Sequence, residues 1–126
     1  MKKTNSLDRL NIPRKQLKFL IKYLTNISRI HSINRVILFG SCAKGYAKSH
    51  SDIDLMIIGD TINGEDETEI YCRCIPDVPN DEYVSIDIIT CTPMAYERHK
   101  TRLGYIERQV ERDGIDISSY MANIYR

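Results

Sequence analysis

The first periodic pattern in the chain begins after Pro13, where apolar residues recur at intervals of three and four positions. This spacing predicts an amphipathic helix that ends at Ile33-Asn34, since proline is well tolerated in a first helical turn. The predicted apolar stripe consists of Leu17, Leu20, Ile21, Leu24, Ile27 and Ile30. Residues 1–12 are polar and lack this pattern. We therefore expect a loosely held polar arm over residues 1–12, followed by a single domain over residues 13–126.

Short apolar runs bounded by turn residues predict the strands of a small sheet. They lie at residues 36–39, 53–58 and 83–90, with a short final strand at 115–117. Helical patterns alternate with these runs, so the predicted fold class is α/β (α+β mixed). We expect a mixed sheet of three to four strands flanked by about four helices.

The segments between the strands predict the remaining helices. They are a turn and short helix over 40–48, a weakly periodic helix over 65–75, a stretch that starts at Pro93, and a helix over 102–113. Gly114 fits the C-cap of the last of these helices. Residues 59–64 contain Gly59-Asp60 and Asn63-Gly64, which predict a loop.

Three aspartates interrupt the predicted strands, although aspartate is depleted in strands. Asp52 and Asp54 are two residues apart, so their side chains point to the same side of the second strand. Asp87 faces away from Ile86 and Ile88 in the third strand. If these strands are neighbours, three carboxylates converge and repel one another unless a cation sits among them. Such oxygen-rich clusters suit Mg²⁺ or Mn²⁺; the alternative is that the aspartates are solvated residues on an exposed sheet face.

The first strand ends abruptly in Gly40-Ser41, immediately before the predicted short helix. Backbone N–H groups and a hydroxyl at such a turn are typical of a phosphate-binding site. The alternative is an ordinary helix start with Ser41 as its N-cap.

Composition narrows the possible functions. The chain has 126 residues and a formal net charge of +1, which argues against binding to extended nucleic acid. No apolar run is long enough to span a membrane, and no signal-peptide core follows the first lysines, so we expect a cytoplasmic protein. Four cysteines without zinc-site spacing are expected to be reduced and structural.

Gly40-Ser41, the ten residues 42–51 and Asp52-Ile53-Asp54 together resemble the GSx10DxD motif of the DNA polymerase beta-like nucleotidyltransferase superfamily. The surrounding stretch is similar to that family's "GSxARG…SDIDL" block, and Asp87 in "VSIDIIT" stands where the family has its third carboxylate. The segment "YIERQVERDGIDI" resembles the end of the minimal nucleotidyltransferases, the MNT proteins. Lys44 replaces a frequent arginine, and Cys42 stands where a larger or charged residue is common.

The resemblance implies a nucleotidyltransferase fold and the transfer of a nucleoside monophosphate from a nucleoside triphosphate such as ATP. It implies that Asp52, Asp54 and Asp87 are catalytic residues that hold two Mg²⁺ (or Mn²⁺) ions. Asp87 would also take the proton of the acceptor hydroxyl. Gly40, Ser41 and Lys44 would then bind the nucleotide.

The resemblance also implies a class of partner. Larger members of the superfamily carry an added acceptor-binding domain, for which this chain has no room. It is thus expected to act as the antitoxin of a HEPN–MNT module, moving AMP onto a tyrosine of a HEPN ribonuclease toxin. Two alternatives stay open. One is a small-molecule, aminoglycoside-like nucleotidyltransferase completed by a homodimer, and the other is an antitoxin that only binds its partner.

Overall fold

A computed structural model of the chain describes residues 1–4, 7–30, 32–60 and 67–124. Within these ranges, five strands form one mixed sheet in the order β1-β5-β2-β3-β4. The strands are β1 (Lys2–Lys3), β2 (Arg35–Phe39), β3 (Ile53–Ile58), β4 (Ile86–Cys91) and β5 (Ile115–Asp116). The mixed α/β class is therefore confirmed.

Six α-helices lie within the described part of the chain. They are α1 (Arg14–Ser28), α2 (Gly40–Lys44), α3 (Glu67–Cys74), α4 (Pro93–His99), α5 (Ile106–Asp113) and α6 (Ser118–Ile124). Two short 3-10 helices add Leu7–Arg9 and Asn80–Glu82. None of the described helices is long and apolar enough to cross a membrane.

Strand directions bring the beginnings of β3 and β4 to the same edge of the sheet. These two strands are parallel, and Ile53 pairs with Ile86 at their first residues. β2 runs antiparallel to both β3 and β5, and β1 runs parallel to β5. The turn that follows β2 therefore lies at the edge where β3 begins.

Apolar side chains pack on both faces of the sheet because successive strand residues point to opposite sides. On one face, Ile53, Leu55 and Ile57 of β3 join a core cluster with residues of α1, α3 and α6. On the other face, Met56 and Ile58 pack with Tyr96 of α4 and Val110 of α5. The two layers of helices cover the sheet and leave the beginning of β3 at its margin.

The first helix ends earlier than the periodicity predicts, and its buried face is rotated. Its C-cap is Arg29, because the chain must reach the sheet by Asn34, whose N–H already donates to the carbonyl of Ile58 at 2.8 Å. The buried residues of α1 are Gln16, Phe19, Leu20, Tyr23, Leu24 and Ile27. The predicted stripe included only aliphatic residues. Because the rings of Phe19 and Tyr23 and the amide of Gln16 are also buried, the buried face of the helix differs from the predicted one.

Two other predicted boundaries were several residues too early. β4 begins at Ile86 rather than at residue 83, because the Asn80–Glu82 helix closes with a bond from the Tyr83 N–H to the Asn80 carbonyl. α5 begins at Ile106 rather than at residue 102, after a turn in which Gly104 has a φ of +87°. In both places, a local turn precedes the element and includes residues that, by composition alone, could have belonged to the strand or the helix.

Gly114 is the C-cap of α5, as expected, but not for the usual reason. Its φ of −74° is open to every residue type, so a left-handed conformation is not required. A Cβ atom there would lie 2.5 Å from Cγ2 of Ile37 and 2.6 Å from the Val110 carbonyl oxygen. Glycine is therefore needed because α5 and β2 approach too closely for a side chain.

The N-terminal residues contribute to the sheet and to the core. Lys2 and Lys3 pair with Ile115 and Asp116 as β1, and Leu7 is only 3% exposed. The sequence analysis predicted a loosely held arm over residues 1–12. A buried leucine among polar residues does not produce a periodic pattern, so its burial could not be recognised. The division of the chain at residue 12 stays a prediction. The predicted loop at 59–64 and the start of the 65–75 helix fall partly outside the described residues.

Candidate active site

Two of the three aspartates are direct neighbours across the sheet. Asp54 and Asp87 are register partners on the parallel strands β3 and β4. Both point away from the face that buries Ile53 and Ile86. Asp52 immediately precedes β3 and is exposed, as is Asp87, whereas Asp54 is partly buried. The second and third predicted strands, β3 and β4, are therefore neighbours, which is the condition for the carboxylates to converge.

The pKa of Asp54 is affected by the charges of both other aspartates. Burial and the charges of Asp87 and Asp52, in that order, raise its pKa from 3.8 to about 6. Desolvation and like charges both disfavour the ionised form of an acid. A cation bound among the three acids would oppose both effects.

Gly40 makes room for the Asp54 carboxylate. It opens α2 with a φ of +70°, in the left-handed region that favours glycine. A Cβ atom at this position would overlap Oδ2 of Asp54 and lie 3.1 Å from its Cγ. Phe39, the preceding residue, is the register partner of Asp54 in the β2–β3 ladder. The glycine of the motif thus lets the turn lie directly against the acid.

Ser41 is not the N-cap of α2. The N-cap is Phe39, which has no side chain able to cap the helix, and Ser41 is the second helical residue. Its hydroxyl lies in the first turn, one residue after the glycine that contacts Asp54. The alternative interpretation of Ser41 as a capping residue is therefore wrong for this helix.

Cys42 connects α2 with the strand that carries the acids. Its buried thiol donates to the Asp52 carbonyl oxygen at 3.5 Å. Burial and the charges of Asp54 and Asp52 raise the pKa of this thiol to about 11. Cys42 therefore stays protonated at neutral pH and acts as a donor. All four cysteines are free thiols, as expected.

A buried glutamine positions the loop that leads into β3. Gln16 of α1 is fully buried, and its Nε2 donates to the carbonyl oxygens of Lys48 at 2.6 Å and Ser51 at 3.0 Å. The Ser51 hydroxyl accepts from the Lys48 N–H at 2.8 Å, which closes the same loop. These bonds fix the backbone immediately before Asp52.

Replacing Gln16 by leucine is expected to destabilise the protein by about 1–3 kcal/mol, because two carbonyl groups lose a buried donor. The loop over residues 48–51 should then exchange its amide hydrogens faster. Gln16→Glu is the matched variant, since it keeps the shape but replaces the donor with an acceptor. Thermal unfolding and hydrogen exchange would measure both effects. Wild-type stability and exchange in both variants would show that Gln16 does not hold the loop.

Lys44 lies at the other end of α2 from Gly40, and its side chain is exposed. Its charge helps to lower the pKa of Asp113 at the end of α5, after the larger effect of Arg112. It also lines a cavity with the basic residues Lys2, Lys3 and Arg9. The structure therefore groups Lys44 with the N-terminal residues and α5, rather than with the three acids.

The donor chemistry of the site fits a divalent cation. Three carboxylates supply the oxygen ligands that Mg²⁺ and Mn²⁺ prefer, and their mutual charge favours a cation. Within the described ranges, however, no three histidine, cysteine, aspartate or glutamate side chains are grouped closely enough to hold a metal ion.

The basic residues His99 and Lys100, which follow Tyr96 in the chain, form local contacts. Lys100 forms an ion pair with Glu97 at 2.7 Å. Nδ1 of His99 lies 2.8 Å from Oε2 of Glu107, and its ring stacks on Tyr105 with centroids 4.0 Å apart. Glu97 and Lys100 are three residues apart, a spacing at which helical side chains are neighbours. Nothing in the sequence signals the contacts of His99 or the role of Gln16, because these depend on residues brought together by the fold.

Comparison with known proteins agrees with this geometry. A family model described as "Nucleotidyltransferase domain" matches residues 20–116. No curated protein and no solved structure matched the chain. Members of the matched family typically use a divalent metal and a nucleoside triphosphate. Since the match covers most of the chain, including the Gly40-Ser41 turn and all three aspartates, the protein belongs to the nucleotidyltransferase domain family.

Proposed function

We propose that this protein transfers AMP from ATP to a tyrosine hydroxyl of a HEPN-type ribonuclease toxin and thereby acts as an antitoxin. The observation that carries the chemistry is the register pairing of Asp54 with Asp87, with Asp52 just before β3. The family match supports nucleotidyl transfer, and the motif resemblance supports the partner.

In this proposal, Asp52, Asp54 and Asp87 would hold two Mg²⁺ or Mn²⁺ ions. Bound there, the ions would neutralise charge on the triphosphate and stabilise the attacking and leaving oxygens. Backbone N–H groups at Gly40 and Ser41, together with the Ser41 hydroxyl, would bind phosphate oxygens of the nucleotide, which is supported by the close approach of Gly40 to Asp54. Lys44 stays a candidate phosphate contact through its exposed ammonium.

The acceptor hydroxyl would attack the α-phosphorus, forming a new oxygen–phosphorus bond. The bond from the α-phosphorus to the bridging oxygen breaks, and pyrophosphate leaves with its electron pair. Asp87 would accept the hydroxyl proton, which requires that its carboxylate reach the acceptor. Its exposure at the beginning of β4 meets this requirement.

The test uses the protein purified together with its natural partner. After incubation with ATP and Mg²⁺, intact-mass analysis should show the partner heavier by whole adenylate groups, and peptide mapping should place them on tyrosine. The Asp52→Ala and Asp54→Ala proteins serve as controls that should add no mass. Neutralisation of the partner by wild type and both variants alike, without added mass, would favour the binding-only antitoxin instead.

A further inference from the structure

A recess opens between α3 and the beginning of β4, beside Asp87. Its walls come from Glu67, Thr68 and Tyr71 on one side and from residues 85–88 on the other. The cavity measures about 280 Å³ and includes Asp87 in its lining. Any group that enters it therefore comes close to the carboxylate proposed as the proton acceptor.

The aromatic wall of the recess is held in place. The Tyr71 hydroxyl lies 2.9 Å from the Tyr83 hydroxyl, so the two share a hydrogen bond. The Tyr83 ring in turn packs edge-on against Phe19 of α1, with centroids 5.5 Å apart and an interplanar angle of 78°. These contacts connect the partly buried Tyr71 and the exposed Tyr83 to the buried ring of Phe19. A ring fixed in this way can pack against the ring of a bound molecule.

Tyr71 and Asp87 are near enough to interact electrostatically. The pKa of the Tyr71 hydroxyl is raised, first by its hydrogen bond to Tyr83 and also by the negative charge of Asp87. Tyr71 therefore stays neutral at physiological pH. Both residues line the same recess.

The charge of the recess excludes one class of occupant. Its described lining includes the two acids Glu67 and Asp87 and no basic residue. Glu67 already accepts a bond from the Thr90 N–H at 2.9 Å, which fixes its carboxylate at this position. Without bound metal, these two acids repel an anionic group, whereas a neutral or positively charged ring is not repelled.

We propose that this recess is the acceptor subsite, in which a phenol ring of a neutral or cationic acceptor packs against Tyr71 and presents its hydroxyl to Asp87. This inference rests on the proposed function and adds which surface receives the acceptor and which charge it prefers. The phenol forms its bond to the α-phosphorus, its proton passes to Asp87, and pyrophosphate leaves.

Three phenols that differ in the charge of their tail test the proposal. Tyramine is cationic, N-acetyltyramine is neutral, and 3-(4-hydroxyphenyl)propionate is anionic. Titrated into the ¹⁵N-labelled protein, tyramine should shift the amide resonances of residues 85–88 at the lowest concentration and the propionate at the highest. Shifts confined to other parts of the protein, or tightest binding by the propionate, would overturn the proposal.

Variants separate the ring contact from the charge. Tyr71→Ala should weaken binding of all three phenols roughly three- to tenfold, and Tyr71→Phe should restore it, because the ring supplies the contact. Glu67→Gln should weaken tyramine alone, roughly two- to fivefold, because the charge is partly exposed. Tyr46→Ala, at a tyrosine that is 73% exposed and outside the recess, is the control. Equal binding by Tyr71→Ala and Tyr46→Ala would contradict the assignment.

The same probes distinguish this inference from the proposed function. With ATP and Mg²⁺, adenylylated tyramine detected by mass would support both. Adenylylation without shifts at residues 85–88 would overturn the acceptor subsite alone. Phenol binding at the recess with no nucleotidyl transfer to any acceptor would leave the subsite in place and contradict the proposed function.

Discussion

Replacing Asp54 by asparagine should raise the melting temperature of the metal-free protein at pH 7.5 and abolish nucleotidyl transfer. Burial of the carboxylate and then the charges of Asp87 and Asp52 raise its pKa to about 6. Removing its charge relieves that repulsion, and solvent screening limits the gain to about 1 kcal/mol. For a domain of this size, that corresponds to roughly 3–6 °C.

The stability gain should depend on pH in a defined direction. Because the folded-state pKa of Asp54 lies above its ordinary value of 3.8, the folded protein holds this proton more tightly than the unfolded chain does. Its contribution to the free energy of unfolding therefore falls as pH rises from about 4 to about 6, and then stays constant. The advantage of Asp54→Asn should be complete above pH 6 and vanish near pH 4.

Thermal melts in EDTA between pH 4 and pH 8 would measure this dependence. Adding Mg²⁺ with a non-hydrolysable ATP analogue should stabilise the wild type by mass action and the variant much less. The difference between their melting temperatures should therefore narrow or reverse. If Asp54→Asn is neutral or destabilising in EDTA at pH 7.5, and responds to Mg²⁺ as the wild type does, the three acids do not form one site.

Gly40→Ala should cause a second large loss. The new Cβ would overlap the Asp54 carboxylate oxygen and would require a non-glycine residue at a φ of +70°. The backbone conformation alone costs about 1–2 kcal/mol. Displacing Asp54 should also lower the transfer rate by at least the ~10–100-fold typical of residues that orient metal ligands.

Gly104→Ala is the matched control for this variant. Gly104 also has a left-handed φ, of +87°, but a Cβ there would meet nothing within 4 Å. It should lose comparable stability from backbone strain and keep its transfer rate. Equal activity losses in the two alanine variants, measured at a temperature where both are folded, would mean that the contact between Gly40 and Asp54 has no role in catalysis.

The strands that carry the acids were predictable, because their signal is local. β3 has the bounds that its apolar run predicted, and the two-residue period placed Asp54 on the opposite face from Ile53. The period also placed Asp87 opposite Ile86. The fold class followed from the alternation of strands and helices. The position of the aspartates on neighbouring strands could therefore be inferred from the sequence.

The supporting contacts were not predictable, since each joins residues distant in the chain. Gln16 bonds a loop 32 positions away, and Tyr71 meets Tyr83 across a different loop. The bounds of α1 and α5 failed for a related reason. Turn geometry and the need to reach the next strand outweighed helical propensity, and neither is visible in a periodicity.

Single-turnover transfer with ATP labelled at the α-phosphorus tests the three-aspartate site most directly. The Asp87→Asn variant keeps the shape of the side chain but is a poor base and a weaker metal ligand. Calorimetry should show that Asp87→Asn still binds a non-hydrolysable ATP analogue. In the presence of Mg²⁺, the wild type should transfer the α-label to its acceptor, and Asp87→Asn should not. Label transfer by Asp87→Asn at the wild-type rate would contradict the assignment of these aspartates as a nucleotidyltransferase site.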